Sequence, residues 1–453
     1  MTNNKKYIDP RSVIHIRNEE DPSQYYNNPP EVTPIKKVEH KKVKNKKTEK
    51  IKKVKHPEQE KKIIPIQKAK KVAENSTESE VSAKTFNKYI PIDGWYLTFV
   101  IFLTMFGLAM LYSAWYVKQD SGFYQQLLYA GAGIVLMLFI AKNNYNILKF
   151  RPIVFVAIIT SVVLLIMVLV SGIELNQASR WLKIGPITFQ PSEVTKLGVI
   201  IYFAFYIDKY NTRKMKPLES GLIYMQHIII LGAIAVLLLM QPHLSGMIII
   251  GVTAIFMIIM SGISWKWIFA DIFAGGALIY GVLNFTTVLQ KFAAHFEPRV
   301  NIWKDPFSDP LHMGFQTVQS LYAIGSGGLF GLGFGGSREK HFYLPEANND
   351  YIFSVVCEEL GLIGALIVII AFAALIYRGF WIALHAKDKH GSMLAAGIST
   401  AIAVQVLLNI AVVTNAIPVT GISLPFFSSG GTALLILFVE VGIVLSVSRQ
   451  IQK

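Results

Sequence analysis

The residues of this 453-residue chain that could do chemistry gather in one polar stretch, 286–350, and in the apolar segments that flank it. The stretch carries Arg299, Trp303, Lys304, Asp305, Gln316, Arg338, Lys340, Glu346 and Asp350. A connection this long is uncommon unless it is functional. Asp350 stands directly before an apolar run that begins Tyr351-Ile352-Phe353. A carboxylate there can accept backbone N–H bonds as a helix cap, worth about 1 kcal/mol. It can equally serve as a general base at the rim of a cavity. Residue type alone leaves both open. Glu358 and Glu359 lie two turns deeper in the same run, and carboxylates at membrane depth are costly and mark function or pairing. Glu193 and Lys196 are spaced i,i+3 and can pair on one helix face. His243, in a Gln-Pro-His-Leu turn, fits a capping or hydrogen-bonding role, and a lone His is poor support for a metal.

The elements that must position these groups are membrane spans. The chain is 52% hydrophobic and 16% charged, against about 25% charged for soluble domains. That excludes a disordered protein and disfavours an ordinary cytosolic enzyme. A span needs about 20 predominantly apolar residues. Such runs fall near 95–116, 124–141, 152–173, 194–208, 223–240, 245–261, 264–285, 355–380, 393–413 and 431–448, about ten in all. Short loops rich in Lys and Arg, around Lys142–Arg151, Lys209–Lys216 and Lys387–Lys389, alternate with balanced or uncharged ones. The positive-inside rule therefore puts both termini in the cytoplasm and 286–350 outside. The expected fold class is an all-α polytopic membrane protein.

Residues 1–88 hold 22 of the 44 basic and 12 of the 29 acidic residues, so +10 of the net charge of +15 belongs to this extension. Its lysine-dense run and scarce aromatics predict a disordered cytoplasmic tail, either simply solvated or adhering to anionic lipid headgroups. Without interleaved aromatics, nucleic acid is not an expected partner. No short apolar core follows the first charges, so no signal peptide is expected. The single cysteine, Cys357, rules out a disulfide framework and multi-cysteine metal sites. Residues 89–453 form the membrane domain.

Two glycine-rich stretches need placing. The run 325–336 satisfies GxGxxG at Gly331, Gly333 and Gly336. A dinucleotide site needs a βαβ unit, which has no room between two spans, so close backbone packing is the better reading. Residues 418–431 (PVTGISLPFFSSGG) put Pro and Gly at membrane depth before the last span, which predicts a re-entrant segment lining a polar site.

Six blocks in order, Arg180-Trp181, QPSEVTK (190–196), GFQTVQS (314–320), YLPEANNDYIF (343–353), EELGLIG (358–364) and PVTGISLPF (418–426), resemble the SEDS (shape, elongation, division and sporulation) family typified by FtsW, RodA and SpoVE. The resemblance runs from about Asp93 to Arg449. It implies ten helical spans with a long external loop before the eighth, in the bacterial plasma membrane with an extracytoplasmic catalytic face. It implies peptidoglycan glycosyl transfer, with lipid II as substrate and undecaprenyl diphosphate as leaving group, and a class B penicillin-binding protein as transpeptidase partner. Asp350 falls on the family's essential acidic position. By the same resemblance Arg180 and Lys196, with Arg299 or Lys340, are expected to stabilise diphosphate or orient substrate. Trp181, Glu193, Gln316, Glu346 and Glu358 are further candidates for substrate contact. No cofactor is fixed by it, and a divalent cation is left open. The sequence departs at His243, where many relatives have Asp, at Asn348-Asn349 for His-Thr, and at Ser428-Ser429 for Ser-Tyr. The FYLPEA and EELGLIG blocks favour division or spore-cortex synthesis over elongation. A transporter of the same lipid-linked precursor, or a scaffold docking division proteins through the tail, would use the same architecture differently.

Overall fold

The computed structural model describes residues 92–453 except 117–121, 176–177, 186, 213–216, 262–268, 270–272, 274, 278–279, 282–287, 341–343 and 452–453. The lysine-rich tail and most of the expected span 264–285 lie outside the described residues. The helices are α1 (Gly94–Tyr116), α2 (Gly122–Lys142), α3 (Arg151–Ser171), α4 (Pro191–Thr212), α5 (Pro217–Met240), α6 (Leu244–Met260), α7 (Val288–Lys304), α8 (Phe315–Gly327), α9 (Ile352–Leu384), α10 (Lys389–Val413) and α11 (Gly431–Ser448). Six of them, α1, α2, α3, α9, α10 and α11, are long and apolar enough to cross a membrane, and 229–240 and 244–260 are shorter apolar stretches. The chain is a polytopic helical membrane protein. Its helices are apolar around most of their circumference, and large side chains such as Val170, Leu128 and Ile370 stay exposed on the outside. That pattern suits lipid and not water.

Local chemistry sets the boundaries. Pro152 at the first turn of α3 supplies a preset φ where no N–H is needed. The Asp388 carboxylate caps α10 by accepting from the Gly391 N–H at 2.7 Å. α4 is longer than its apolar run suggests, because Pro191 opens it at the first polar turn and it carries Glu193 and Lys196 inward. α10 and α11 are the most enclosed spans, and their inner faces meet α4, α6, α9 and α2 around Ile200, Phe372, Met393, Phe427 and Phe438. Both ends of the membrane domain lie on one side, where the Asp93 N–H donates to Ser448 Oγ and Arg378 clasps the Asp93 carboxylate.

The departure from an all-helical fold among the described residues is a small antiparallel meander between α3 and α4. Its strands are β1 (Ile173–Leu175), β2 (Ala178–Ile184) and β3 (Ile187–Phe189), with Trp181 opposite Ile173 and Leu182 opposite Phe189. Thr432 Oγ1 donates to the Thr188 carbonyl at 2.8 Å and ties the sheet to the start of α11.

The segment between α10 and α11 is irregular and runs back into the bundle. Five of its carbonyls accept from side chains of four different helices: Val419 from Arg299 (3.0 Å), Thr420 from Ser245 (3.3 Å), Ile422 from Asn409 (2.7 Å), Ser423 from Gln405 (3.1 Å) and Ser428 from Gln126 (3.3 Å). Asn409 Nδ2 also donates to the Asp350 carbonyl at 2.8 Å, so one buried amide joins the re-entrant segment to the residue before α9. Replacing Asn409 with Leu leaves two buried carbonyls unsatisfied. The expected loss is about 2–6 kcal/mol at about 1–3 kcal/mol per group, read as a lowered melting temperature of the purified protein in detergent.

Candidate active site

Asp350 lies in the turn before α9 and does not cap it. The cap position is taken by Tyr351, which offers no side-chain hydrogen bond to the helix. Among the described residues no ion pair within 4 Å closes on the Asp350 carboxylate. It faces instead a cationic wall built from two distant elements. β2 contributes Arg180, whose Nη2 is anchored on the Pro242 carbonyl at 2.5 Å. α7 contributes Arg299, anchored on the Val419 carbonyl. Side chains alternate along a strand, so Arg180 shares the inward face of β2 with buried Leu182, while Trp181 points to the opposite face.

Gly421 sets the gap. Its φ is +69°, and a Cβ built there would meet Arg180 Nη1 at 3.3 Å and Asp350 Oδ2 at 3.5 Å. Glycine therefore meets both the left-handed backbone requirement and the need for an open space between acid and cation. Arg180 Nε is buried with no hydrogen-bond partner, a donor in want of an acceptor.

Burial, and then the neighbouring Glu346 carboxylate, push the Asp350 carboxyl up to about 6, against the opposing pull of Arg180 and Arg299. Burial, with Arg299 close by, lowers Arg180 to about 10, still cationic at neutral pH. Arg299 is lowered for the same first reason. His243 is buried at the entry to α6, and burial, followed by Arg180, pushes it down to about 3, so the ring is neutral. The site thus holds a carboxylate poised to take a proton beside two guanidiniums that attract anions.

The structure brings Asp350, Arg180, Arg299 and Glu346 together. Glu346 has φ +54° and accepts from the Asn349 side-chain amide. Gln316 is half-buried in the first turn of α8, next to Thr317, which approaches the Tyr351 hydroxyl. Glu193 and Lys196 form a second group along the same re-entrant segment. The Lys196 ammonium donates to Glu193 at 2.7 Å and to Gln405 at 3.4 Å, and a small cavity opens between them and Ser423, Phe426 and Leu434. Lys340 and Glu358 do not join either group: both are buried in a network around Glu359, away from the charges acting on Asp350.

Reasoning from sequence missed Glu440. It is fully buried in α11, with Oε1 3.4 Å from Lys196 Nζ. A carboxylate in an otherwise apolar span was the signal that could have found it. Asn409, Gln405 and Gly421 gave no local signal, since their roles exist only across elements. Among the described residues no group of three or more His, Cys, Asp or Glu side chains is placed to hold a metal.

Residues 94–453 match the family model for the FtsW/RodA/SpoVE cell cycle proteins. The stage V sporulation protein E of Bacillus subtilis is 39% identical over 77% of this chain and 94% of its own length. A probable peptidoglycan glycosyltransferase FtsW of the same organism is 37% identical over 77% of this chain and 88% of its own. Among solved structures, a chain of a peptidoglycan synthase complex in which polymerization and crosslinking are coordinated is 28% identical, with a TM-score of 0.64, over 79% of this chain and 98% of the other. The rod shape determining protein RodA of Thermus thermophilus shares the fold at a TM-score of 0.58, covering 80% of this chain and 98% of its own. With the whole membrane domain matched and the site assembled from the shared blocks, the chain belongs to the FtsW/RodA/SpoVE, or SEDS, family.

Proposed function

We propose that the protein is a peptidoglycan glycosyltransferase that polymerises lipid II, working in cell division or sporulation. The observation that carries this reading is the Asp350 carboxylate, uncapped and facing Arg180 and Arg299 across Gly421. A sugar hydroxyl is a weak nucleophile, and Asp350 is the base that takes its proton as the oxygen attacks the anomeric carbon of the donor. The bond from that carbon to the diphosphate breaks. The leaving diphosphate gathers negative charge, which Arg180, with its unsatisfied Nε–H, and Arg299 stabilise. Glu193 and Lys196 hold the adjoining wall and orient the substrate, Gln316 flanks it, and burial together with Glu346 keeps the Asp350 carboxyl basic enough to accept a proton.

The relatives named for sporulation and for FtsW support the division or sporulation role. The likeness to a chain of a synthase complex supports a transpeptidase partner of the class B penicillin-binding type. An extracytoplasmic catalytic face is supported by the opposite end of the bundle. There Lys149 pairs with Asp208 and Asp388, Arg378 pairs with Asp93, and Arg449 binds carbonyls of α2, in keeping with the positive-inside rule. The lysine-rich segment 1–88 carries the charge to contact anionic lipid headgroups.

Purified protein with its transpeptidase should polymerise labelled lipid II. Asp350→Ala and Asp350→Asn should lose activity by about 10²–10⁴-fold, the range for a general base, while keeping their melting temperature. Full activity in either variant overturns the base assignment. The base must be ionised to work, so the rate should fall as the pH is lowered through about 6, approaching tenfold per pH unit below it, and should level off above. A profile flat from pH 5 to 8 would rule Asp350 out as the titrating group. Gly421→Ala, which fills the space between Arg180 and Asp350 and strains the backbone, should reduce kcat/KM by at least tenfold, equivalent to about 1.4 kcal/mol.

A further inference from the structure

Helix α9 is broken at Gly361, where φ is +65° and ψ −165°. An unbroken helix would have the N–H groups of Leu362 and Ile363 donate to the carbonyls of Glu358 and Glu359. Here the loop after α8 stands in for both sides of those two bonds. Leu332 N–H donates to the Glu358 carbonyl at 2.9 Å and Gly333 N–H to the Glu359 carbonyl at 3.0 Å. Leu362 and Ile363 N–H donate in turn to the carbonyls of Gly328 and Leu329, at 2.9 and 3.3 Å. The approach is so close that a Cβ on Gly361 or Gly331 would collide with the other strand's backbone.

The returning limb of the loop is fastened by charge. Glu359 accepts from Lys340 Nζ at 2.7 Å, from Ser113 Oγ at 2.6 Å and from the Gly335 N–H at 3.0 Å. Glu358 accepts from Ser337 Oγ and from the Arg338 N–H at 2.7 Å. The side chains of Lys340 and Glu359 are almost wholly enclosed. Glu359 sits seven residues inside α9, about 10 Å from its start at 1.5 Å per residue. The exposed side chains of the loop, Leu329, Phe330 and Phe334, are large and apolar, and they adjoin the exposed Leu362, Ile363 and Leu366 of α9.

We propose that residues 328–340 form a re-entrant hook that sits in the outer half of the bilayer with its apolar tip against lipid chains. In this reading the Lys340–Glu359 pair locks the hook and thereby sets the position of Asp350. The occupant of the apolar surface is hydrocarbon, because the hook's backbone is bonded to α9 at the level of that helix's own lipid-facing residues. Exposed apolar side chains there would otherwise stand in water. The lock reaches the site through a short path. Leu344 N–H donates to the Glu339 carbonyl at 2.7 Å, Leu344 and Ala347 are buried, and the Asn348 carbonyl accepts from Ser429 N–H at 2.9 Å. Asp350 follows Lys340 by ten positions, and both ends of that stretch are held. Lys340, Glu358 and Glu359 are therefore positioning residues, and substrate contact falls to the arginines. The positioning half of the proposal rests on the glycosyltransferase reading, and the bilayer half does not.

Two measurements test it. In proteoliposomes of phosphatidylethanolamine and phosphatidylglycerol, a membrane-impermeant maleimide should label Phe330→Cys about tenfold or more slowly than Leu311→Cys, since lipid excludes the water the reagent needs. The two side chains are equally exposed in the protein itself, at 78% each, and the native Cys357 is buried. In the background of the double variant Lys340→Met/Glu359→Gln, labelling at position 330 should rise toward that of the control. Equal rates without the double change overturn the bilayer placement, and this arm requires no enzymatic activity. In the polymerisation assay the single variants leave a buried charge unpaired and are expected to lose stability. The double variant removes both charges and should regain it. Its kcat should stay about 10–100-fold low with KM within about twofold, the signature of a misplaced catalytic group. A double variant that recovers both melting temperature and kcat overturns the lock as a positioning device and leaves it structural.

Discussion

Backbone N–H and C=O groups that leave helical geometry inside a membrane have no water to turn to, and this constraint shapes the protein. Among the described residues two segments break the rule of continuous helix, 414–430 and the α9 break at Gly361, and the protein satisfies both by different means. The first is held by side chains, with Arg299, Ser245, Asn409, Gln405 and Gln126 reaching its carbonyls from four helices. The second is held by backbone, through the exchanged bonds with 328–333. The site lies against the first of these. Asp350 leads into the broken helix, Gly421 belongs to the re-entrant segment, and Asn409 donates to both chains at once.

Charge follows the same economy. Among the described residues, several cations drawn into the bundle are answered by carboxylates: Lys196 by Glu193 and Glu440, Lys340 by Glu359, Arg378 by Asp93. Burying an unpaired charge costs several kcal/mol. Against that background the arrangement around Asp350 stands apart, because two guanidiniums and a carboxylate are close enough to influence one another and are kept from closing into an ion pair. The guanidiniums spend hydrogen bonds on the carbonyls of Pro242 and Val419 instead. An open polar gap of this kind is what an anionic substrate with a hydroxyl to deprotonate would fill.

His243 and Ser428 take on physical meaning in that setting. His243 is buried and neutral beside Arg180. It therefore leaves Asp350 and Glu346 as the nearby carboxylates bearing on the pair of arginines. Ser428 supports the site from beneath, its Oγ donating to the Asn349 carbonyl at 2.7 Å while accepting from Leu424 N–H at 2.7 Å, so the short hydroxyl does the work of a turn.

The sequence by itself determined the membrane class and the positions of the six long spans found among the described residues, because hydropathy is a property of residues in order along the chain. It also carried Asp350, Arg180 and the paired Glu193–Lys196, through ordered blocks and an i,i+3 spacing. It did not show that Trp181 faces away from Arg180, since the meander that alternates them is made of three short strands set among spans. It did not separate Lys340 and Glu358 from the site, nor reveal Glu440, Asn409 or Gly421 as its supports. Those assignments depend on which distant side chain lies within about 3 Å of which, and proximity across a bundle is created by packing. Charge type names the residues able to bind, and only the tertiary structure decided which cations are tied up in ion pairs and which were left facing an open space.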